Sequence, residues 1–266
     1  MFTISLLSPK TAIVTGGTGA IGQAIARQLA EKGYRVTITA RNEQKAQSTV
    51  SGIIRATGNQ NVSYLLADLS RKKEIDALAS NWNEPLDLLV NNAAIAPRKR
   101  EETPEGIEMQ LAVNVLSYFR MIQVFTPFLK QAVGARVVNV ASYWAGDLDI
   151  DDLECRRRRY DNDMIYRQSK QADRMLTVAF AEKLKEHGIT VNACHPGDVN
   201  STLSNSLGFG GHQSPDQGAD TPVYVATAPK LEGVTGKYFE RRQQVPCSFA
   251  NNKELIGRLF EACEKY

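Results

Sequence analysis

Hydrophobic positions along the chain fall into two alternating regimes. Continuous runs rich in Val, Ile and Leu occur at Ala12-Ile13-Val14, Arg35 to Thr39, Val62 to Leu66, Leu86 to Val90, Arg136 to Val140 and Ile189 to Ala193. Unbroken apolar runs of this length are the pattern of parallel strands covered on both faces, not of half-exposed strands. Between them apolar residues recur at helical spacing, as at Ile21, Ile25 and Leu29. A short seventh strand near Tyr238-Phe239 precedes a last helix from about Asn251. The pattern predicts an α/β fold: one doubly wound, mostly seven-stranded parallel sheet with helices on both faces. No linker, repeat or low-complexity tract divides the 266 residues, so a single domain is expected over 1–266.

In such sheets ligands lie beyond the carboxyl ends of the strands. The residues there are Arg41 after the second run, Asp68 and Leu69 after the third, and Asn91-Asn92-Ala93-Ala94 after the fourth. Ser142 follows the fifth, and His195-Pro196-Gly197 the sixth. Asparagine, aspartate and serine favour turns in any case. A polar or Gly/Pro set at every strand end nevertheless marks one edge of the sheet as a binding face. After the first run, TGGTGAIG at 15–22 places Gly17, Gly19 and Gly22 as G-x-G-x-x-G between strand and helix. Glycines at that spacing allow a tight turn, close approach of a diphosphate, and close helix–strand packing, while the amides of the new helix face the phosphate. A plain glycine turn would look the same, so the motif alone is weak. A carboxylate at the end of the second strand would favour NAD(H); Ile38-Thr39-Ala40-Arg41 has none, and an arginine there can receive a 2′-phosphate. NADP(H) is therefore expected over NAD(H), against a reading of Arg41 as a surface residue opening the next helix.

Charge narrows the partners. Lysine plus arginine is 32 against 29 acidic residues, a net +3 that gives no reason to expect nucleic acid. The one dense basic run, Arg156 to Arg159, directly follows the acidic stretch Asp147 to Glu154 and reads as a solvated loop with internal charge pairing. Four scattered cysteines without C-x-x-C spacing, and three histidines, suggest reduced thiols and no metal site. The N-terminal MFTISLLSPK is too short in its apolar part to span a bilayer and has no basic leader, so the expectation is a cytoplasmic protein without a membrane anchor.

The sharpest chemistry lies in Tyr166-Arg167-Gln168-Ser169-Lys170. Tyr166 and Lys170 stand four apart, on one face of a helix for which Met175, Leu176 and Ala179 are plausible core positions. A phenol titrating near pH 10 is a poor acid or base at neutrality, but a neighbouring ammonium stabilises its phenolate. A lone Y-x-x-x-K would more often be a surface pair.

Taken together, TGGTGAIG, NNAA at 91–94, Asn114 in LAVNVLSYF, Ser142 in VVNVASYWAG, YRQSK at 166–170 and HPG at 195–197 make the chain resemble the short-chain dehydrogenase/reductase superfamily over nearly its whole length. The resemblance implies a Rossmann fold and an oxidoreductase acting on a small-molecule carbonyl or alcohol. It implies Tyr166 as general acid, Lys170 as its electrostatic partner and a ligand of the nicotinamide ribose, Ser142 as hydrogen-bond donor to the substrate oxygen, and Asn114 as holder of a relay water. For the cofactor it implies Gly16, Thr18, Gly19, Ala20, Ile21 and Gly22 at the diphosphate, and Arg41, Asp68 and Leu69 towards the adenosine. Asn91, Asn92 and Ala93 fall near a ribose, and Pro196, Gly197, Val199 and Thr202 around the nicotinamide.

Twenty-four positions separate Ser142 from Tyr166, and that long interval, with TPEGIEMQLAVN before and TPVYVATAPKLEGVTGKYF after, is similar to the retinol dehydrogenase and WW-domain oxidoreductase branch. Lipophilic aldehydes, ketones and alcohols are the substrates this implies. The insertion covers about 146–163, and a substrate loop about 198–218, whose Gly208, Gly210 and Gly211 suit either a lid that orders on binding or a surface loop. Tyr143, Trp144, Ile95 to Lys99 and Ser201 to Asp216 are expected to bound the pocket. Ala20, Ala94 and Ala141 depart from the family's glycine, glycine and serine; of these, the methyl of Ala20 bears on cofactor approach. A homodimer or homotetramer is compatible with the resemblance, as is a monomer if the insertion obstructs pairing. Two other functions stay open: reduction of an activated C=C bond, and a catalytically silent cofactor-sensing or scaffold protein.

Overall fold

A computed structural model describes residues 8–266; the apolar part of the N-terminal stretch, residues 2–7, lies outside them. The sheet order is β3-β2-β1-β4-β5-β6-β7-β8. Its members are β1 (Thr11–Val14), β2 (Arg35–Ala40), β3 (Val62–Leu66), β4 (Leu88–Asn91), β5 (Arg136–Val140), β6 (Thr190–Cys194), β7 (Tyr238–Glu240) and β8 (Gln243–Val245). All neighbours are parallel except β7 and β8.

β8 is a correction to the seven-strand expectation. It is an edge strand returning from β7 through Arg241 and Arg242, both at positive φ. Its Gln243 and Gln244 are exposed, so it buries nothing that hydrophobic patterning could register.

Each face of the sheet carries one apolar cluster. Against one face lie α1 (Ala20–Glu31), α2 (Glu43–Thr57) and α7 (Pro215–Thr227), joining Ile25, Leu29, Ile53 and Val223 to Val14, Val36 and Val90. Against the other lie α3 (Lys72–Ser80), α4 (Ser117–Leu129), α5 (Asn162–Leu184) and α8 (Lys253–Glu264). Here Phe119, Phe180 and Phe260 meet with ring centroids 4.8–5.2 Å apart, tying α8 to α4 and α5. Most of α5 is buried, because α8 and the insertion cover the side the sheet does not.

The insertion is built around Asp152, whose carboxylate accepts the backbone N–H groups of Arg156, Arg157 and Arg158 and pairs with the Arg158 guanidinium. Arg156 pairs with Glu154 at 2.7 Å, and Arg258 of α8 with Asp151 at 3.0 Å. Of the arginine run, Arg156 and Arg158 are thus charge-paired, the latter to a carboxylate that is itself buried, while Arg157 donates to the Asp151 carbonyl. Among the described residues no helix is long and apolar enough to cross a membrane, and no cluster of His, Cys, Asp and Glu could hold a metal ion.

The segment 198–218, expected as either a lid or a surface loop, carries a short helix. α6 (Thr202–Ser206) starts on a capping box between Ser201 and Ser204, and Asn200 N donates to Gln213 O at 3.1 Å.

Candidate active site

The turn from β1 to α1 is compressed against the end of β4. Gly16 has φ +63°, and a Cβ there would sit 2.9 Å from Ala93 Cα. A Cβ on Gly22 would collide with the carbonyl of Gly16 and lie 2.7 Å from Asn92 Nδ2. Thr15 completes the seam: its hydroxyl accepts from Asn92 N at 2.8 Å and Ala93 N at 3.1 Å. Gly19, exposed, is the N-cap of α1, and no side chain caps that helix. Its first-turn amides are left for an outside acceptor, at the positive end of the helix dipole.

Along this turn runs a cleft of about 290 Å³ that gathers Gly16, Thr18, Gly19, Ala20, Ile21, Gly22, Arg41, Asp68, Leu69, Asn92, Ala93 and Thr202. Thr39, Ala94, Ile95, Val113, Ser201 and Leu203 line it as well. Ser201, expected from the sequence to open the segment bounding the pocket, lines both this cleft and the inner pocket described below, as do Ile21 and Leu203. Uncapped amides, a floor without Cβ atoms and an exposed arginine at one end form a donor set that fits a dinucleotide with an additional phosphate.

Asn91 does not line the cleft. Its side chain is wholly buried and its Nδ2 donates to Asn139 Oδ1 at 3.0 Å, while Asn139 Nδ2 donates to Thr177 at 2.9 Å. Strand side chains alternate faces, so Asn92, not Asn91, presents its side chain at the cleft. Asp68 lines the cleft and also accepts from Ser70 N and Oγ at 3.0 and 2.8 Å, opening the turn into α3.

The residues expected to react meet beyond β5 and β6. Ser142 and Tyr166 line one inner pocket of about 40 Å³ with Trp144, Leu203, Leu207 and Phe209. Pro196, Gly197 and Val199 complete it rather than the larger cleft. Tyr143 stands edge-on to His195, centroids 4.6 Å apart. Tyr166 is 7% and Ser142 6% exposed, so both reach solvent only through the pocket mouth.

Lys170, one turn on, is 1% exposed. Its ammonium donates to Asp173 Oδ2 at 2.8 Å and Val140 O at 3.1 Å, and lies 5.0 Å from the Tyr118 ring centroid and 5.8 Å from that of Tyr166. It lies inside the protein, on the wall of neither the cleft nor the inner pocket. Asp173 stands at i+3 from Lys170, a spacing the sequence shows without showing that the pair is buried.

Asn114 sits in a π-helical turn, Leu111–Leu116, ahead of α4. Its Oδ1 accepts from Ile95 N at 2.9 Å, and its Nδ2 donates to Ile95 O at 3.0 Å and Ser169 Oγ at 3.1 Å. The amide clasps the loop after β4 to the middle of α5, and irregular turns of this kind are frequent where function constrains a helix.

Burial dominates the electrostatics. It raises the Tyr166 phenol well above its ordinary range, with the Ser142 hydroxyl working the other way and the Asp173 charge adding to the rise. Burial likewise raises Asp173 to about 6 against the pull of Lys170. Burial lowers His195 to about 4, keeping its imidazole neutral at pH 7.

Residues 10–208 match the family model of short chain dehydrogenases. Retinol dehydrogenase 13 of Homo sapiens is 32% identical over 272 residues, covering 94% of this chain and 82% of that protein. A short chain dehydrogenase from Burkholderia cenocepacia, solved in complex with NADP, superposes with a TM-score of 0.70 at 27% identity over 87% of this chain and 95% of its own. A Mycobacterium paratuberculosis protein of uncharacterized function superposes with a TM-score of 0.80 at 25% identity, over 96% and 92%. Together with the glycine turn and the Ser142, Tyr166 and Lys170 cluster, these likenesses show that the chain belongs to the short-chain dehydrogenase/reductase superfamily, in its retinol dehydrogenase-like branch.

Proposed function

We propose that the protein is an NADPH-dependent carbonyl reductase acting on small to medium lipophilic aldehydes or ketones. The observation that carries this reading is that two compartments share Ile21, Ser201 and Leu203 in their walls: a cleft with open helix amides and Arg41, and a largely apolar pocket lined by Tyr166 and Ser142. Trp144, Leu203, Leu207 and Phe209 favour an apolar substrate, and the names of relatives that act on retinol and polyprenol agree with that choice. Four free cysteines accord with a reducing cytoplasmic setting.

NADPH, when bound, supplies the hydride that reaches the carbonyl carbon. The rest is done by this chain. Arg41 binds the 2′-phosphate, and the amides around Gly19 to Gly22 take the diphosphate. Ser142 donates a hydrogen bond to the carbonyl oxygen and stabilises the charge that develops there. Tyr166 gives its proton to the same oxygen, leaving a phenolate facing Lys170. Trp144 and Phe209 cover the pocket and keep water from it.

The test follows NADPH and NADH absorbance with a panel of aldehydes, ketones and enones. Carbonyl turnover that prefers NADPH is expected. Absence of turnover with every member, or turnover of enones alone, would overturn the proposal.

A further inference from the structure

Asp173 is buried beneath the reacting residues and has no role in the chemistry above. Its side chain is fully buried, 2.8 Å from the Lys170 ammonium, and its second oxygen has no partner among the described residues. Few carboxylates are kept in such a place. Desolvating two charges costs several kcal/mol per ion, and an ion pair recovers that only with good geometry. Three other titratable groups face this pair: Tyr118 from α4, Cys194 from β6 and Cys263 from α8. Burial keeps all three neutral at pH 7. Asp163 and Tyr143 approach only from the Tyr166 side. The charge balance below Tyr166 is therefore set by Lys170 and Asp173.

An ammonium alone acts on a nearby phenol as a point charge. Beside a carboxylate it acts as a dipole, whose effect on the phenolate is far smaller. The pair also fixes where the ammonium sits, because two of its three N–H groups are taken by Asp173 and Val140.

Resting on the carbonyl-reductase reading, we propose that Asp173 is a positioning residue that holds the Lys170 ammonium and offsets its charge, so that Tyr166 stays protonated across the neutral range and serves as proton donor. The consequence is directional. Reduction needs the phenol and oxidation the phenolate, so this carboxylate biases the site towards reduction.

The test needs neither substrate nor cofactor. Protein carrying ring-fluorinated tyrosine, which ionises at lower pH than tyrosine, is titrated by fluorine NMR, and the Tyr166 resonance is identified by its loss in Tyr166→Phe. Asp173→Asn, nearly isosteric, is expected to lower the Tyr166 midpoint by about one pH unit or more, a tenfold gain in phenolate at a given pH. Asp173→Glu, which retains the charge, is expected to stay near the native midpoint, which covers the case of an Asn variant that fails to fold. In the assay with a turned-over carbonyl, the alkaline limb of kcat/KM for reduction should move down with Asp173→Asn by the same interval. A Tyr166 resonance that titrates identically in the two proteins, or in neither, overturns the proposal and leaves Asp173 a structural partner whose loss only lowers the melting temperature. Because the NMR readout is independent of turnover, its failure leaves the reductase reading intact, and failure of turnover leaves this titration interpretable.

Discussion

The indole of Trp144 lies over the ring of Phe209, with centroids 5.4 Å apart and planes tilted by 59°. One ring follows Ser142 and the other follows α6, so this contact closes the pocket above Tyr166. Phe209 is 45% exposed, held on one side only. Truncation there should open the mouth without disturbing the core. Phe209→Ala is expected to raise KM for small aldehydes several-fold, leave kcat within about twofold, and admit bulkier ketones. Steady-state kinetics across substrates of graded size checks this; a uniform collapse of kcat would contradict it.

Arg41 lies exposed beyond β2, at the end of the cleft opposite Tyr166. A guanidinium–phosphate contact contributes about 1.5–3 kcal/mol as a charged hydrogen bond. Arg41→Ala should therefore weaken NADPH binding by about tenfold or more and leave NADH nearly unchanged. Calorimetric titration with each cofactor reads the ratio, and an unchanged ratio would remove Arg41 from cofactor choice.

His195 makes the fold sensitive to acid. Its imidazole titrates at about 4 in the folded chain against an ordinary 6.5, so protons bind the unfolded state first. Stability from this group is present above pH 6.5 and declines as pH falls towards about 4. The full decline is about 3 kcal/mol at most. Urea denaturation at several pH values should show the gap between native protein and His195→Gln narrowing across that window. A gap that stays constant would contradict the assignment.

Phe260 is the aromatic anchor of α8, packed between Phe119 and Phe180. Phe260→Ala should cost about 3–5 kcal/mol and loosen α8 from the face of α5. With α8 and the insertion in place that face is covered, so the native chain is expected to run as a monomer in light scattering, and the variant to associate. A native dimer that persists in the variant would show that pairing uses another surface.

What was legible in the sequence follows from burial. β1, β2, β4, β5 and β6 are fully or largely covered and so left continuous Val, Ile and Leu runs; β8 is exposed and left none, while β3, at the other edge, shows an apolar run although only Val62 is buried. The glycine turn could be read because each glycine meets a specific obstacle, such as Ala93 or the Gly16 carbonyl. Asn91 and Asn92 were harder to separate, because a one-residue step along a strand reverses the face, and identical residues carry no sign of which face is which. Asp173 depends on tertiary placement: it is a carboxylate whose partner lies on its own helix but whose burial comes from the elements packed around α5. Spacing suggested the i+3 pair, but not that it would be dry.

The central claim is that Tyr166 donates the proton during carbonyl reduction. The most direct measurement is the NADPH-dependent rate of Tyr166→Phe beside its NADPH affinity. The account predicts a rate lower by about 10²–10⁴-fold with affinity unchanged. Undiminished turnover in Tyr166→Phe would contradict it.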